Sequence, residues 1–333
     1  MSRNLFADNG EFVHGVQATV SASTVKNYLD KARRLYARCG KEIRVEQVDY
    51  RFFCAWLLSL RPKIAAATYR QYKSACVYWL WHIVGTDKAR VAAVFLAGQS
   101  GNGTMKKGRK TSSRKIKYLP QELFDRVSAG LLAENPKWAR EVFLFLQAGV
   151  LTGLRPSEWS EAAMDTVDGK PCLTVRNGKA SNGRANGEIR GLLLHGLDDE
   201  ELAIIKEHLS LIRDFKAGGG KFEKYYKNCK NTLFSFQERH KLGIRGRKIS
   251  LYSCRHQFSA DAKADRIEHA VLSAMMGHAA TVTAQKHYGR RVNGRTGKSK
   301  VQPLPGQVAG VRHNHVSRPT YEPVAQDVQP KLR

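Results

Sequence analysis

Five residues near the C-terminal end and in the middle of the chain could act together on a phosphodiester. In the stretch from Ile249 to Arg291, Arg255 follows Tyr252 by three positions, His278 follows Gly277, and Tyr288 comes ten residues later. Residues three apart on a predicted helix project from one face. A hundred residues upstream, TGLRPSE places Arg155 where Gly153 breaks the chain and Pro156 restarts a helix. That is a helix N-terminus, where free backbone N–H groups favour an anion. Each residue alone is equally well a core or surface side chain. Together, Arg, His and Tyr point to phosphoryl transfer with a phenol as nucleophile.

Such a step needs positive charge at the two non-bridging oxygens, a nucleophile in line and a proton for the leaving oxygen. Arg155 and Arg255 suit the first task, since a guanidinium binds phosphate oxygens in a planar fork and stays charged. They would act as oxyanion-hole donors do, with His278 adding a third hydrogen bond. Lys179, at the end of a predicted strand or the start of its loop, could reach the 5′-oxygen as general acid. Tyr288 would attack. An ordinary phenol is only about a thousandth ionised at pH 7, so it must be activated by surrounding cations or a base. The product would be a 3′-phosphotyrosyl bond and a free 5′-hydroxyl. Because the bond energy is conserved, a second hydroxyl can reverse the step without ATP, metal or cofactor.

The elements that must position these groups are mostly helical. Apolar residues recur at threes and fours in a first helix capped by Ser23 and closed near Gly40, with Val25, Tyr28, Leu29, Ala32, Leu35 and Tyr36 on its stripe. A second helix is predicted over 46–60 with Phe52, Phe53, Trp56 and Leu57, a third over 64–84, and a fourth over 88–96. Pro120 opens another, a strongly apolar one follows over 137–150, and Asp198 and Asp199 open an amphipathic one. From Cys172 to Leu194 the residues turn β-like around SNGRANG, which predicts a small hairpin. Residues 217–248 predict a shorter helix between basic loops, and the stretch from Ile249 to Arg291 supplies three more. The fold class expected is mainly α with a small β-hairpin or sheet (α+β).

At 333 residues the chain is long enough for two domains with sizeable cores. Its formal charge is +27, from 56 Lys and Arg against 29 Asp and Glu, an excess that fits a polyanionic partner, nucleic acid, better than an acidic protein or a membrane surface. The charge is concentrated between Gln99 and Lys117, where Lys106, Lys107, Arg109, Lys110, Arg114, Lys115 and Lys117 stand among Gly and Ser with no acid. Such a segment reads as a flexible linker that tracks phosphates. The expected organisation is a mobile arm over 1–18, a helical DNA-binding unit over 19–98, the linker over 99–117, a catalytic domain over 118–290 and a basic disordered tail over 291–333. No apolar run is long enough to span a bilayer and no signal-peptide core is present, so a cytoplasmic, nucleoid-associated protein is expected. The six cysteines are scattered without a C-x-x-C pair, which argues for reduced thiols and against a zinc site.

TGLRPSE at 152–158, Lys179 in a hairpin, LYSCRHQF at 251–258, MGHAA at 276–280 and the final Tyr288 together resemble the tyrosine recombinase (phage integrase) family. The resemblance covers about 118–290, and the helical N-terminal unit is similar in type to that family's core-binding domain. It implies that Arg155, Lys179, Arg255 and His278 activate the phosphate, that Glu158 supports them, and that Tyr288 is the nucleophile. It further implies a clamp on double-stranded DNA at specific recombination sites, four protomers exchanging strands through a Holliday junction, and a place for accessory DNA-bending factors. Two departures stand out. Tyr252 occupies the position where the family usually has histidine, which leaves the general base unassigned. His256, next to Arg255, is expected about 100° away around the helix as a packing residue. Beyond Tyr288 the chain continues GRRVNGRTGKSKVQPLPG in place of an apolar docking helix.

The function expected is a metal-free, site-specific DNA recombinase or integrase of a mobile element. A telomere resolvase or type IB topoisomerase would share the chemistry but fold back or reseal the strands. A DNA-binding protein of the same fold would lack cleavage and be indifferent to loss of the Tyr288 hydroxyl.

Overall fold

Apolar residues at helical spacing build the first unit from four helices, α1 (Ala22–Ile43), α2 (Tyr50–Ser59), α3 (Ala66–Trp79) and α4 (Asp87–Gly98). The computed structural model describes residues 22–105, 115–178, 180 and 185–313. The expected arm over 1–18, Lys106, Lys107, Arg109, Lys110, Arg114, Lys179 and the end of the expected tail lie outside the described residues. The chain divides into two compact units between Thr111 and Ser112.

In the first unit Ala32, Leu35, Phe53, Leu57, Cys76, Leu80, Ala92 and Leu96 form one buried cluster. The helix boundaries differ from those the sequence predicts. Helix α1 begins at Ala22, so Ser23 lies inside it, and it runs past Gly40 to Ile43. Asp49 caps α2, accepting from the N–H groups of Arg51 and Phe52, so that helix starts four residues after Glu46. Phe52 is exposed while Phe53, Cys54, Trp56 and Leu57 are buried. Adjacent residues on a helix point about 100° apart, so Phe52 and Phe53 cannot both face the core. A π-turn over Leu80–Val84 ends α3, with Gly85 in the left-handed region.

The second unit is built around α6 (Ala139–Thr152). Val142, Leu144, Phe145, Leu146 and Ala148 are all buried, as expected for a helix apolar on most of its circumference. Around it pack α5 (Gln121–Glu134), α7 (Asp199–Ala217), α8 (Phe222–Arg239) and α9 (Ser253–Ala264). Helix α8 is longer than the sequence predicts. Its buried Phe222, Tyr225, Cys229, Leu233 and Phe236 keep helical spacing beneath an exposed lysine-rich surface. Two short helices, α10 (His269–Met275) and α11 (Thr281–His287), complete the stretch that carries Tyr288.

An antiparallel sheet of four strands lies in the order β1 (Ala163–Val167), β2 (Lys170–Arg176), β3 (Ile189–Leu193), β4 (Gln302–Pro303). Leu173 pairs with Leu192, and Leu192 with Pro303. The fold is therefore mainly α with a small sheet, the class expected. Strand β1 extends the predicted hairpin by a two-residue turn in which Asp168 and Gly169 both have positive φ (50° and 72°). That is the geometry hairpins prefer for Asp-Gly.

The expectation of disorder from 291 onward is corrected for residues 291–313. Gln257 donates to the Asn293 carbonyl, Asp261 accepts from Arg295, and Asp265 accepts from the N–H groups of Gly297, Lys298 and Ser299. Val301 and Val311 are buried, β4 joins the sheet, a short helix α12 (Pro305–Ala309) follows, and Arg312 N–H bonds the Ala279 carbonyl at 3.0 Å. The segment shows no periodicity because its order comes from side chains of α9 holding extended backbone. Replacing Asp265 by Ala removes a charged acceptor serving three donors, each such bond contributing about 1.5–3 kcal/mol. Amide hydrogen exchange at 297–299 is expected to accelerate by at least about tenfold, while α6 keeps its protection.

Candidate active site

Helix α6 ends on Gly153, and Leu154 brings the chain to Arg155, which precedes a 3₁₀ turn over Pro156–Ser160. This turn is shorter than the helix the sequence predicts, so anion affinity at Arg155 rests on its guanidinium rather than on a helix end. Its backbone N–H and guanidinium both bond Glu158, the former at 2.8 Å. Glu158, only 2% exposed, also binds Arg190 Nη2 of β3 at 2.8 Å and lies 3.7 Å from Arg255 Nη1 of α9. Burial alone would raise the Glu158 pKa. The charges of Arg190, Arg255 and Arg155 outweigh it and hold the carboxyl well below its usual range, hence ionised. One carboxylate against three guanidiniums leaves a surplus of two positive charges.

Arg255 is fully buried and its position is set by backbone. Nη1 donates to the Gly153 carbonyl at 2.7 Å and Nη2 to the Met276 carbonyl at 2.6 Å. Nη2 also lies 2.9 Å from His278 Nε2. Arginine can only donate, so Nε2 accepts and His278 carries its proton on Nδ1. Burial, then the charges of Arg255, Arg155 and Arg190, push the His278 pKa far down, which keeps the ring neutral. Arg155 Nε, Arg255 Nε and His278 Nδ1 are buried with no hydrogen-bond partner among the described residues. Three such donors would be satisfied by the oxygens of a phosphate.

Tyr288 directly follows α11, with its ring centroid 5.1 Å from the Arg255 guanidinium carbon and 4.9 Å from the His278 ring. Its hydroxyl is 3.0 Å from that of Tyr252, the residue immediately before α9. Burial works against ionising Tyr288, but the Arg255 charge, the Tyr252 hydrogen bond and Arg155 prevail and bring its pKa down to about 8. Tyr252 goes the other way, pushed up to about 12 by burial and by the Tyr288 charge. One phenol of the pair ionises first, and the other keeps its proton and donates it in a hydrogen bond.

The structure thus brings Arg155, Glu158, Arg255, His278, Tyr252 and Tyr288 together. His256 packs beside both phenols, its ring 5.5 Å from Tyr252 and 5.3 Å from Tyr288, with its pKa lowered to about 4 by burial and then by Lys117. Lys115 and Lys117 are exposed. Among the described residues no three His, Cys, Asp or Glu side chains gather as metal ligands, and all six cysteines are free and buried.

Sequence reasoning missed Arg190 and Asn177. Arg190 is 1% exposed and bonds Glu158, Asn177 Oδ1 and the Met275 carbonyl. It thereby ties the β2–β3 hairpin to the turn before His278. The approach is close enough that a Cβ at Gly277 would overlap Asn177 Oδ1. The only signal was position, since Arg190 stands among Ile189, Leu192, Leu193 and Leu194, where a solvated charge is out of place.

No family model and no curated protein sequence matches the chain. Among solved structures it is similar to a lambda integrase dimer bound to a COC′ core site, at 17% identity and TM-score 0.52, covering 83% of this chain and 74% of that one. XerH site-specific recombinase bound to palindromic difH substrate gives 14% identity and TM-score 0.48 over 86% of each chain. At such identities the likeness to lambda integrase is one of fold, and the chain has the fold of the tyrosine recombinases.

The phenol pair yields a measurable consequence. The phenolate absorbance that disappears on replacing Tyr288 by Phe is expected to titrate near pH 8, and Tyr252→Phe to move that midpoint upward by removing the donor that favours the phenolate. A midpoint near that of free tyrosine would show that the arginines do not act on this phenol.

Proposed function

We propose that this chain, built on the tyrosine-recombinase fold, is a site-specific DNA recombinase that cleaves and rejoins double-stranded DNA through a 3′-phosphotyrosyl intermediate. The observation that carries the reading is the convergence of three orphaned buried donors, on Arg155, Arg255 and His278, beside a phenol whose pKa is lowered to about 8. In the proposed step the Tyr288 oxygen attacks the scissile phosphorus while both guanidiniums and His278 Nδ1–H bind the non-bridging oxygens. The bond from phosphorus to the 5′-oxygen breaks, and that oxygen takes a proton from Lys179, the role its resemblance assigns. A 5′-hydroxyl from another strand reverses the step.

The charge that a metal would otherwise supply comes from guanidiniums, so the reaction is proposed to run without metal or cofactor. At pH 7 a phenol with a pKa about one unit above ambient is about a tenth ionised, against about a thousandth for free tyrosine. Strand exchange at paired sites of a mobile element, by a tetramer and with accessory DNA-bending factors, is the proposed setting. The lambda integrase of known structure is bound to its core site. No helix among the described residues is long and apolar enough to cross a membrane. A second reading is favoured by Tyr252. Tyrosine at that position also resembles the hairpin telomere resolvases, whose product would be folded-back ends.

Incubation of the protein with DNA from the ends of its element, followed by denaturation, is expected to leave a covalent adduct in EDTA. Tyr288→Phe should bind the same DNA and form no adduct, and Arg255→Lys should slow adduct formation by about 10²–10³-fold. An adduct that persists in Tyr288→Phe, or that EDTA abolishes, would sink the mechanism. Hairpin products in place of recombinants would select the second reading.

Replacing the seven cations from Lys106 to Lys117 is expected to weaken binding to all DNA sequences alike. The slope of log K against log salt should fall by about 0.9 for each phosphate that is no longer neutralised. An unchanged slope would remove the linker from the DNA interface.

A further inference from the structure

We propose that Lys263 is the positioning residue that fixes where Tyr288 stands, by binding the backbone carbonyls on either side of it. Lys263 lies on α9, and its Nζ donates to the Ala284 carbonyl at 2.8 Å and to the Gly289 carbonyl at 2.7 Å. The first belongs to the last turn of α11, whose carbonyls have no acceptor role left inside the helix. The second belongs to the residue after the nucleophile. One ammonium therefore brackets Tyr288 in the chain, and a cation is the favoured group at a helix C-terminus.

A packing role does not explain a lysine here. No carboxylate pairs with its ammonium among the hydrogen bonds and ion pairs of the described residues, and burial pushes its pKa down to about 8. The depression it lines also holds Arg266, His269 and Arg291, with Glu268 the one acid, and the Lys263 charge acts on His256 as well. A leucine or methionine would fill the space without placing a cation among cations. What only a charged, multiple donor provides is the simultaneous hold on two carbonyls.

The backbone beyond the nucleophile needs that hold because it lies flush on α9. A Cβ at Gly289 would overlap the His256 carbonyl oxygen, so the chain passes with no side chain between. Downstream, Gln257, Asp261 and Asp265 pin residues 293–299 to the same helix. Arg255 and Lys263 are eight residues apart on α9, about 12 Å along its axis. One rigid element thus sets both the phosphate-binding guanidinium and the backbone of the attacking phenol, so the distance between them does not depend on a loop.

This inference deepens the phosphotyrosyl reading and rests on it for its effect on rate, but its effect on Tyr288 is readable without DNA. The test uses the full chain as K263M and K263R. Tyr288 is titrated by the absorbance difference from a Tyr288→Phe background, and covalent attachment is timed on DNA from the element's ends. In K263M the Tyr288 midpoint is expected to rise by about one pH unit as the ring leaves the Arg255 face. Attachment should slow by about 10- to 100-fold at unchanged DNA affinity, the effect of displacing a reacting atom by about an ångström. K263R, which keeps a cationic multiple donor, should recover part of both. A K263M protein with the wild-type midpoint, or K263R no better than K263M, overturns the proposal. Should K263M not fold, K263Q against K263R makes the same comparison of neutral with charged donor. Failure of the wild type to attach to any DNA refutes the recombinase reading, while the titration midpoints still decide the role of Lys263.

Discussion

The second unit depends on one buried carboxylate. Glu158 is the only acid within ion-pair reach of Arg155, Arg190 and Arg255 among the described residues, and it comes from a turn of five residues that hydrogen bonds to its own Arg155 backbone. Burying a charge costs several kcal/mol unless it is paired and hydrogen-bonded, and removing one partner of a buried pair costs about 3–5 kcal/mol. The three guanidiniums arrive from the end of α6, from β3 and from α9, so these elements can only pack in the arrangement that brings them to Glu158. The same pairing leaves two positive charges uncompensated. A core built for stability alone would not keep that surplus, which is what lowers the Tyr288 pKa and leaves donors for an anion.

Helix α9 turns this electrostatic constraint into geometry. Tyr252 immediately precedes it, Arg255 lies in its first turn and is fixed by carbonyls from two other segments, and Lys263 reaches the backbone around Tyr288. Its Gln257, Asp261 and Asp265, at fourfold spacing, hold the chain that leaves the site. Buried polar residues on most of a helix are usually a liability. Here Ser253, Arg255, Gln257 and Asp261 each have a backbone partner in another segment, so the helix acts as a jig for segments with little secondary structure of their own.

Much of the site was legible because its residues are rare in combination and stand in an order that resembles a family. Arg155, Arg255, His278 and Tyr288 needed no structure to be picked out. Arg190 did, because a single arginine in a strand reads as solvent-facing until its burial is known. Strand β1 was legible in principle, since Asp168-Gly169 is a strong hairpin signal, but its own residues Ala163–Val167 are half-exposed and do not alternate cleanly. Helix α8 was underestimated because lysines between its apolar positions mask their spacing. The order of 291–313 was invisible for a deeper reason. It is imposed by the Asp261 and Asp265 carboxylates and the Gln257 amide, far away in the chain, and no local periodicity records a tether of that kind.

The phenol at position 252 constrains how the proposed nucleophile is activated. A residue held at about 12 beside one at about 8 stays protonated across the range in which Tyr288 ionises. Tyr252 is therefore the partner of the pair that keeps its proton. It is placed to donate a hydrogen bond to the Tyr288 phenolate. His278 has its Nε2 engaged by Arg255 and its ring kept neutral. Proton loss from Tyr288 is favoured by the field of Arg255 and Arg155, the charges that lower its pKa. A histidine in place of Tyr252 would add a group that titrates near neutrality, whereas this chain has put the acidity into the arginines, and Glu158 sets how much of their charge remains.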